Sequence, residues 1–215
     1  IVTGNQYLAN YARKYNTNVS VIPSTIDTDI YTPRVINKSK TVTIGWSGSF
    51  STIPHFEFII PTLLRIKLKY PDRVQFLVIG VPGYQCNELG VISIPWSAQT
   101  EVIDLHRIDI GIMPLPDDEW TRGKCGMKGL QYMAAGIPTI MSPVGVNHEI
   151  IQDGENGYLA STDAEWIDKL SALIESNDLK DKFAVNGRKT VEEKYSVKAN
   201  APLYLQLFEK VLKLT

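Results

Sequence analysis

The sequence lacks the features that mark secreted, membrane-spanning or nucleic-acid-binding proteins. Its 215 residues hold two cysteines, too few for a disulfide framework. No apolar run approaches the roughly 18 residues that a membrane-spanning helix needs, and no signal peptide is visible. Lys and Arg number 22 against 23 Asp and Glu, so the net charge of -1 provides no general attraction for nucleic acid. We therefore expect a cytoplasmic protein with no transmembrane segment and no nucleic acid partner.

The sequence does contain a regular alternation of strand and helix patterns. Short apolar, β-branched runs alternate with helical patterns about five times from Thr41 onward, which predicts an α/β fold with a doubly wound parallel sheet and helices on both faces. The run Phe76–Ile79 is continuously apolar, and Ile108–Met113 is apolar apart from Asp109, as expected for strands that are buried on both sides. After Asp163 the apolar spacing is three and four, which predicts extra C-terminal helices.

The first 40 residues differ from this alternation. A short helix is predicted after Asn5, a good N-cap residue, and is followed by a short strand. Residues 24–40 show no periodicity and contain several turn-forming residues, which is typical of a connector. Because the chain begins at Ile1 and runs at once into a structured pattern, we expect it to be a piece of a longer protein.

Ligands of open α/β sheets bind beyond the carboxyl ends of the strands, and the first candidate loop there is rich in small residues. Residues 45–52 contain two glycines and four hydroxyl residues just before a predicted helix. Gly48 and Ser49 would let a ligand approach the backbone, and free N–H groups at the helix start would favour an anion. The alternative is an ordinary turn with a helix cap.

A second candidate loop, residues 114–136, carries the stronger signal. Lys124 and Lys128 flank a predicted helix start near Gly126, with further glycines at positions 123 and 129. A helix N-terminus favours acids, so lysines there indicate a bound anion such as a diphosphate. The alternative is a solvated charged loop. The adjacent acids Asp117, Asp118 and Glu119 point in different directions on a loop, and we expect no metal site.

Two further side chains give weaker indications of function. His148 has no Ser, Cys or Asp at a diagnostic spacing, so a catalytic role is not expected for it. Trp96, at the end of a predicted strand, could flank a planar base, and burial in the core is an equally good interpretation.

Together these segments resemble the donor-binding half of a retaining GT-B glycosyltransferase of the group 1 (family 4) class. The resemblance covers about residues 1–195, and 108–159 is its most specific part. GKCGMKGLQYMAAGIP (123–138) resembles the family segment ending in E-A-M-A-x-G-x-P. SPVGVNHEIIQDGENGYL (142–159) is similar to G-G-x-x-E-I-I-x-D-G-x-N-G. The resemblance implies a Rossmann-like domain that binds a nucleotide-diphosphate sugar in a cleft between two domains, in polysaccharide biosynthesis.

The resemblance also implies residue roles, with departures. The family's E-x7-E motif places one Glu near the transferred sugar and one near the ribose, and these positions fall on Gly123 and Gln131. Gln131 can still hydrogen-bond a ribose hydroxyl, and Asp118 or Glu119 is the candidate catalytic substitute. The family's basic pair is absent from residues 48–55. The expected diphosphate ligands are backbone groups and lysines, with no metal or cofactor: Gly48, Ser49, Lys124, Gly126, Met127, Lys128 and Gly129. Base contacts are expected at Ile94, Pro95 and Trp96.

The implied organisation has three parts. Residues 1–40 would be the end of an N-terminal domain and the linker, 41–195 the donor-binding domain, and 196–215 a helix that packs back on the first domain. The acceptor-binding N-terminal domain would then be missing from this chain, which alone would transfer no sugar. Any peripheral membrane contact would be made by that missing domain. Two alternatives stay open: a non-catalytic nucleotide-sugar-binding module, and another enzyme of the same architecture, such as a nucleotide-sugar epimerase or a phosphorylase-like protein.

Overall fold

The computed structural model describes residues 1–34 and 40–212. The last part of the predicted connector (35–39) and the last three residues of the predicted final helix (213–215) lie outside the described residues. The strands within them are β1 (Val2–Thr3), β2 (Ser20–Val21), β3 (Val42–Ser47), β4 (Val74–Ile79), β5 (Ile92–Ile94), β6 (Ile110–Met113), β7 (Thr139–Met141) and β8 (Tyr158–Leu159).

Six of these strands form one parallel sheet in the order β5-β4-β3-β6-β7-β8. The predicted doubly wound α/β fold is confirmed. Strand β6 is buried along its whole length, and so are residues Phe76–Ile79 of β4, which explains their apolar composition. The chain winds outward from β3 in one direction and from β6 in the other. The switch point of the sheet therefore lies between β3 and β6, where a crevice opens at the carboxyl edge.

The helices cover both faces of this sheet and extend past it. They are α1 (Gln6–Ala12), α2 (Ile53–Glu57), α3 (Ile60–Lys69), α4 (Glu101–Leu105), α5 (Glu119–Arg122), α6 (Met127–Ala134), α7 (Asn147–Ile150), α8 (Asp163–Glu175), α9 (Asn177–Thr190) and α10 (Val197–Leu212). A π-helical turn, Val191–Tyr195, joins α9 to α10. Pro61 marks the break between two helices, because α2 ends before it and α3 carries it in its first turn.

The first 22 residues form a small unit beside the main sheet. Strands β1 and β2 pair with each other in parallel, and α1 lies between them in the chain. The Asn5 side chain accepts a hydrogen bond from the backbone N–H of Leu8, which confirms the predicted cap of α1. None of the helices in the described residues is long and apolar enough to cross a membrane.

Candidate functional site

The candidate site lies at the switch point, where α6 begins above the end of β3. The ammonium Nζ of Lys128, in the first turn of α6, lies 5.7 Å from the ring centroid of Trp46 on β3. One turn further along, the Tyr132 hydroxyl accepts a 2.7 Å hydrogen bond from the backbone N–H of Ser47. These contacts fix the start of α6 against the carboxyl end of β3, so the two candidate loops of the sequence meet across the crevice.

The loop after β3 is closed by its own hydrogen bonds. The backbone N–H of Gly48 donates to the Ile79 carbonyl at 2.9 Å, and that of Ser49 donates to Thr52 Oγ1 at 3.0 Å. The Ser49 hydroxyl lies 3.0 Å from the hydroxyl of Ser51 and 3.3 Å from that of Thr52. The expectation of free N–H groups at Gly48 and Ser49 is therefore wrong. A phosphate contact through the Ser49 side chain stays a prediction, and it would require these hydroxyl contacts to open.

Close packing explains why a glycine, Gly48, begins the loop after β3. A Cβ atom at Gly48 would lie 1.9 Å from the Trp46 ring, so only glycine lets the chain turn over that indole. Trp46 is 1% exposed, and its ring forms the apolar floor beneath Lys128. Gly48 thus shapes the site without donating to it.

The start of α6 presents the free donors that the loop after β3 lacks. Gly126 is its N-cap, with φ +68°, and a Cβ there would meet the Ile150 side chain at 2.3 Å. Among the described residues we find no acceptor for the backbone N–H groups of Met127, Lys128 and Gly129. These are the unsatisfied donors of a helix N-terminus, which favour an anion.

Two lysines lie beside these donors without a carboxylate partner among residues 1–34 and 40–212. The ion pairs formed there include neither Lys124 nor Lys128. Burial and then the charge of Lys124 lower the pKa of Lys128, and burial lowers the pKa of Lys124. Burial, followed by the charge of Lys124, also lowers the pKa of His55 in α2. The free protein thus holds neighbouring positive charges that a bound anion would neutralise.

The acidic residues of the loop after β6 lie at the start of a short helix that the sequence did not indicate. Asp118 caps α5: its side chain accepts from the Thr121 N–H at 2.8 Å, and the Thr121 hydroxyl lies 3.1 Å from the Asp118 N–H. The Thr121 backbone hydrogen bond also lowers the pKa of the Asp118 carboxyl. Asp117 pairs with Arg122 at 2.7 Å. Glu119 is exposed beside α1, in a groove of about 640 Å³.

Gln131 has partners that sequence reasoning missed. Its Nε2 donates to the Tyr31 hydroxyl at 2.7 Å and to Glu101 Oε1 at 3.1 Å, while the Tyr31 hydroxyl donates to Glu101 Oε2 at 2.7 Å. Burial, then Glu101, raises the pKa of Tyr31 to about 12. Both amide hydrogens of Gln131 are therefore used, and its oxygen remains to accept. Glu101 is the first residue of α4, at the same edge of the sheet. An acidic residue at a predicted helix start on this edge was the sequence feature that could have indicated a partner for Gln131.

The expected base-contact segment follows β5 at this edge. Trp96 is 54% exposed, so its interpretation as a core residue is wrong, and flanking a base stays a prediction. The Ile94 carbonyl accepts from the Gly80 N–H at 2.9 Å. His148 is exposed on α7. Within the described part of the chain, no three His, Cys, Asp or Glu side chains come together as a metal site would require.

The fold and this edge define a doubly wound α/β domain with a cationic helix start at its switch point. The model of the family described as "Glycosyl transferases group 1" matches residues 41–176, and the chain belongs to this family, whose members transfer sugars. Spore coat protein SA of Bacillus subtilis (strain 168) is 28% identical over 83 residues, which cover 37% of this chain and 22% of that protein.

Solved structures agree on the fold. The C-terminal domain of the group 1 glycosyltransferase LpcC from Francisella tularensis superposes with a TM-score of 0.62 at 23% identity, over 80% of this chain and 99% of that one. TarM superposes with a TM-score of 0.77 at 16% identity, over 96% of this chain and 43% of TarM. HepE from Anabaena, solved with UDP and glucose, superposes with a TM-score of 0.76 at 15% identity, over 96% of this chain and 62% of HepE. The match thus spans less than two thirds of TarM, of HepE and of the spore coat protein.

Proposed function

We propose that this chain is the donor-binding domain of a retaining glycosyltransferase, which transfers a sugar from a nucleotide-diphosphate sugar to an acceptor. The observation that carries the proposal is the start of α6. There, among the described residues, three backbone N–H groups without an acceptor adjoin Lys124 and Lys128, which form no ion pair with a carboxylate. A diphosphate supplies the negative charge and the hydrogen-bond acceptors that this arrangement needs.

The same groups suit the chemistry of glycosyl transfer. As the bond to the donor sugar breaks, negative charge builds up on the leaving diphosphate. Donors that are already in place stabilise that charge without reorganising. We propose that Gly126, Met127 and Gly129 act through the backbone at the helix start, that the lysines add charge, and that no metal or other cofactor is required. The UDP in the HepE structure is consistent with a nucleotide donor.

The remaining donor contacts are proposed along the same edge. Ile94, Pro95 and Trp96 would hold the base, and the exposed Trp96 indole offers an aromatic face for stacking. Gln131 would accept from a ribose hydroxyl through its oxygen, since its N–H groups are held by Tyr31 and Glu101.

The catalytic acid is proposed among Asp118 and Glu119. Asp118 lies near His55, whose charge contributes to lowering the Asp118 pKa, but its carboxylate caps α5. Glu119 forms none of the ion pairs within the described residues. The capping role of Asp118 favours the second candidate function, a module that binds a nucleotide sugar without transferring it.

A second domain is part of the proposal. The acceptor-binding domain would pack against the exposed apolar side chains of α10, among them Leu205, Phe208 and Leu212. In this arrangement, 1–40 and 196–215 belong to the domain junction and 41–195 to the donor site. Transfer requires both domains, so the 215-residue chain alone would transfer no sugar. A cytoplasmic location, a role in polysaccharide biosynthesis and membrane contact through the second domain complete the proposal.

The test is a binding series on the 215-residue chain. Thermal shift and calorimetry with UDP, GDP, ADP and their sugars should identify one base that binds, and the matching nucleoside monophosphate should bind more weakly, because it lacks the second phosphate. Equal affinity for mono- and diphosphate would contradict the diphosphate role. If the two-domain protein binds the donor but never transfers or hydrolyses the sugar, the non-catalytic module is correct.

A further inference from the structure

We propose that Asn5, on the small β1-α1-β2 unit, is a positioning residue that holds the lysine loop of the candidate site. The side chain of Asn5 is 3% exposed. Its Nδ2 donates to the carbonyl oxygen of Gly123 at 3.0 Å and to that of Lys124 at 3.2 Å. These partners lie 118 and 119 residues away in the sequence. The inference rests on the proposed function only for what the loop binds.

The orientation of the amide is fixed by its partners. Its Oδ1 accepts from the Leu8 N–H at 2.8 Å, so Nδ2 must face the loop. One side chain therefore caps α1 and also satisfies carbonyls that follow α5. Those carbonyls belong to the C-cap residue of α5 and to the residue after it, where the helix has no N–H group left to donate to them. A small unit outside the main sheet thus holds the chain that follows α5, and with it Lys124, in position.

Close packing clamps the same loop from two sides. A Cβ at Gly4, just after β1, would lie 2.5 Å from the Cys125 sulfur, so a larger residue there would displace the Cys125 side chain. On the other side, Gly145 has φ +56°, and a Cβ there would lie 2.8 Å from the Arg122 carbonyl oxygen. The segment between Arg122 and Gly126 therefore has little freedom, and Asn5 supplies its hydrogen bonds from the β1-α1 side.

This arrangement gives the β1-α1-β2 unit control over the anion site. Asn5 contacts the backbone of Lys124 itself, and the α6 cap residue Gly126 follows two residues later. A shift of α1 would therefore move the Lys124 ammonium group and the first turn of α6 together. We infer that the position of this unit sets the affinity for the diphosphate. Asn5 does not touch the ligand in this view and acts through the loop.

The experiment separates capping from positioning. In Asn5→Asp the cap of α1 is kept, because Asp accepts from Leu8 equally well, but the two donated hydrogen bonds are lost. Asn5→Ser keeps a cap without adding charge and is too short to reach both carbonyls. The matched control is Asn10→Asp, because Asn10 Oδ1 only accepts, from Gln6 and Arg13. Both Asn5 variants should weaken the nucleoside diphosphate bound by the wild type about tenfold, equal to about 1.4 kcal/mol, and the control should not.

A second perturbation tests the position without altering Asn5. Gly4→Ala should weaken diphosphate binding as well, since the new methyl group displaces Cys125. Adding Cys125→Ala removes the sulfur and should restore the affinity. Unchanged affinity in both Asn5 variants, or no rescue in the double variant, would overturn the proposal.

Amide hydrogen exchange distinguishes this failure from failure of the proposed function. The Asn5 variants should speed exchange at residues 123–126 while α1 stays protected, whether or not a ligand is added. If the wild type binds no nucleoside diphosphate, the proposed function fails, while faster exchange still supports the positioning role. Exchange that is unchanged at residues 123–126 overturns the positioning role even if the nucleotide binds.

Discussion

The two loops that face each other across the switch point have opposite hydrogen-bonding states. After β3, the N–H groups of Gly48 and Ser49 are both taken up, and the Ser49, Ser51 and Thr52 hydroxyls bond to one another. At the start of α6, the N–H groups of Met127, Lys128 and Gly129 find no acceptor in the described part of the chain, and the nearby lysines find no carboxylate.

The difference follows from the chemistry of the side chains. A hydroxyl group both donates and accepts, so a loop rich in serine and threonine can satisfy its own backbone. An ammonium group only donates, so two neighbouring lysines cannot satisfy each other or a helix N-terminus. A local composition of lysine and glycine at a helix start therefore indicates a ligand more strongly than one of serine and glycine.

The largest expected effect is on the lysine side of this comparison. Lys128→Ala should weaken nucleoside diphosphate binding more than tenfold, about 1.4 kcal/mol or more, because it removes a partly buried charge next to the free N–H groups. Calorimetry measures this loss. The matched control is Lys189→Ala. The Lys189 side chain is 68% exposed on α9 beside Glu193, so the affinity of this variant should stay within about twofold of the wild type.

Loss of the fold would not explain a weaker Lys128→Ala variant. Burial already lowers the pKa of Lys128, so its charge is unfavourable in the ligand-free protein. Loss of the Lys128 contact with Trp46 offsets this gain, so the melting temperature of the free variant should stay close to that of the wild type. If the affinity of Lys128→Ala equals that of the wild type, Lys128 does not contact the diphosphate, and the proposed difference between the two loops is wrong.

A smaller effect is expected from pH. A bound diphosphate favours protonated lysine, so affinity is full below the lysine pKa and falls as pH rises through it. Because the pKa values of Lys124 and Lys128 are both lowered, the fall should begin below the ordinary lysine value of about 10.4. The pKa of His55 in the free protein is lowered too, first by burial and then by the charge of Lys124, so its titration is separate from the alkaline fall. Calorimetry from neutral to alkaline pH should also show proton uptake on binding.

The matched variant for this measurement is Lys128→Arg. A guanidinium stays charged across the whole range, so this variant should lose the Lys128 part of the pH dependence and keep only that of Lys124. An alkaline fall identical in the two proteins would show that Lys128 does not titrate in the site.

The sequence was sufficient for the sheet, since period and composition identify strands that are buried on both faces. It also located the α6 start, where Gly126 and the flanking lysines leave a local signature. It was not sufficient for side chains whose partners come from distant segments. Gln131 meets Tyr31 and Glu101, which lie 100 and 30 residues away, and only the folded sheet brings them together.

Local motifs hid two further features. The run Asp117, Asp118 and Glu119 was interpreted as a charged loop, but Thr121 lies three residues after Asp118 and completes a capping box that starts α5. Asn5 was recognised as a helix cap, and its second role, towards Gly123 and Lys124, is a contact across 118 or more residues. The periodicity of a segment carries no information about such contacts.

The smallest effect is expected on the serine side of the comparison. Ser49→Ala leaves the Ser49 N–H bonded to Thr52 Oγ1 and the Gly48 N–H bonded to Ile79, so the loop should keep its shape. Diphosphate affinity should change less than about twofold, roughly 0.4 kcal/mol. Ser51→Ala is the matched control, because it removes the partner of the same hydroxyl contact. A loss near tenfold in Ser49→Ala alone would mean that the loop opens on binding and that its hydroxyl turns to the phosphate, and the two loops would then share the ligand.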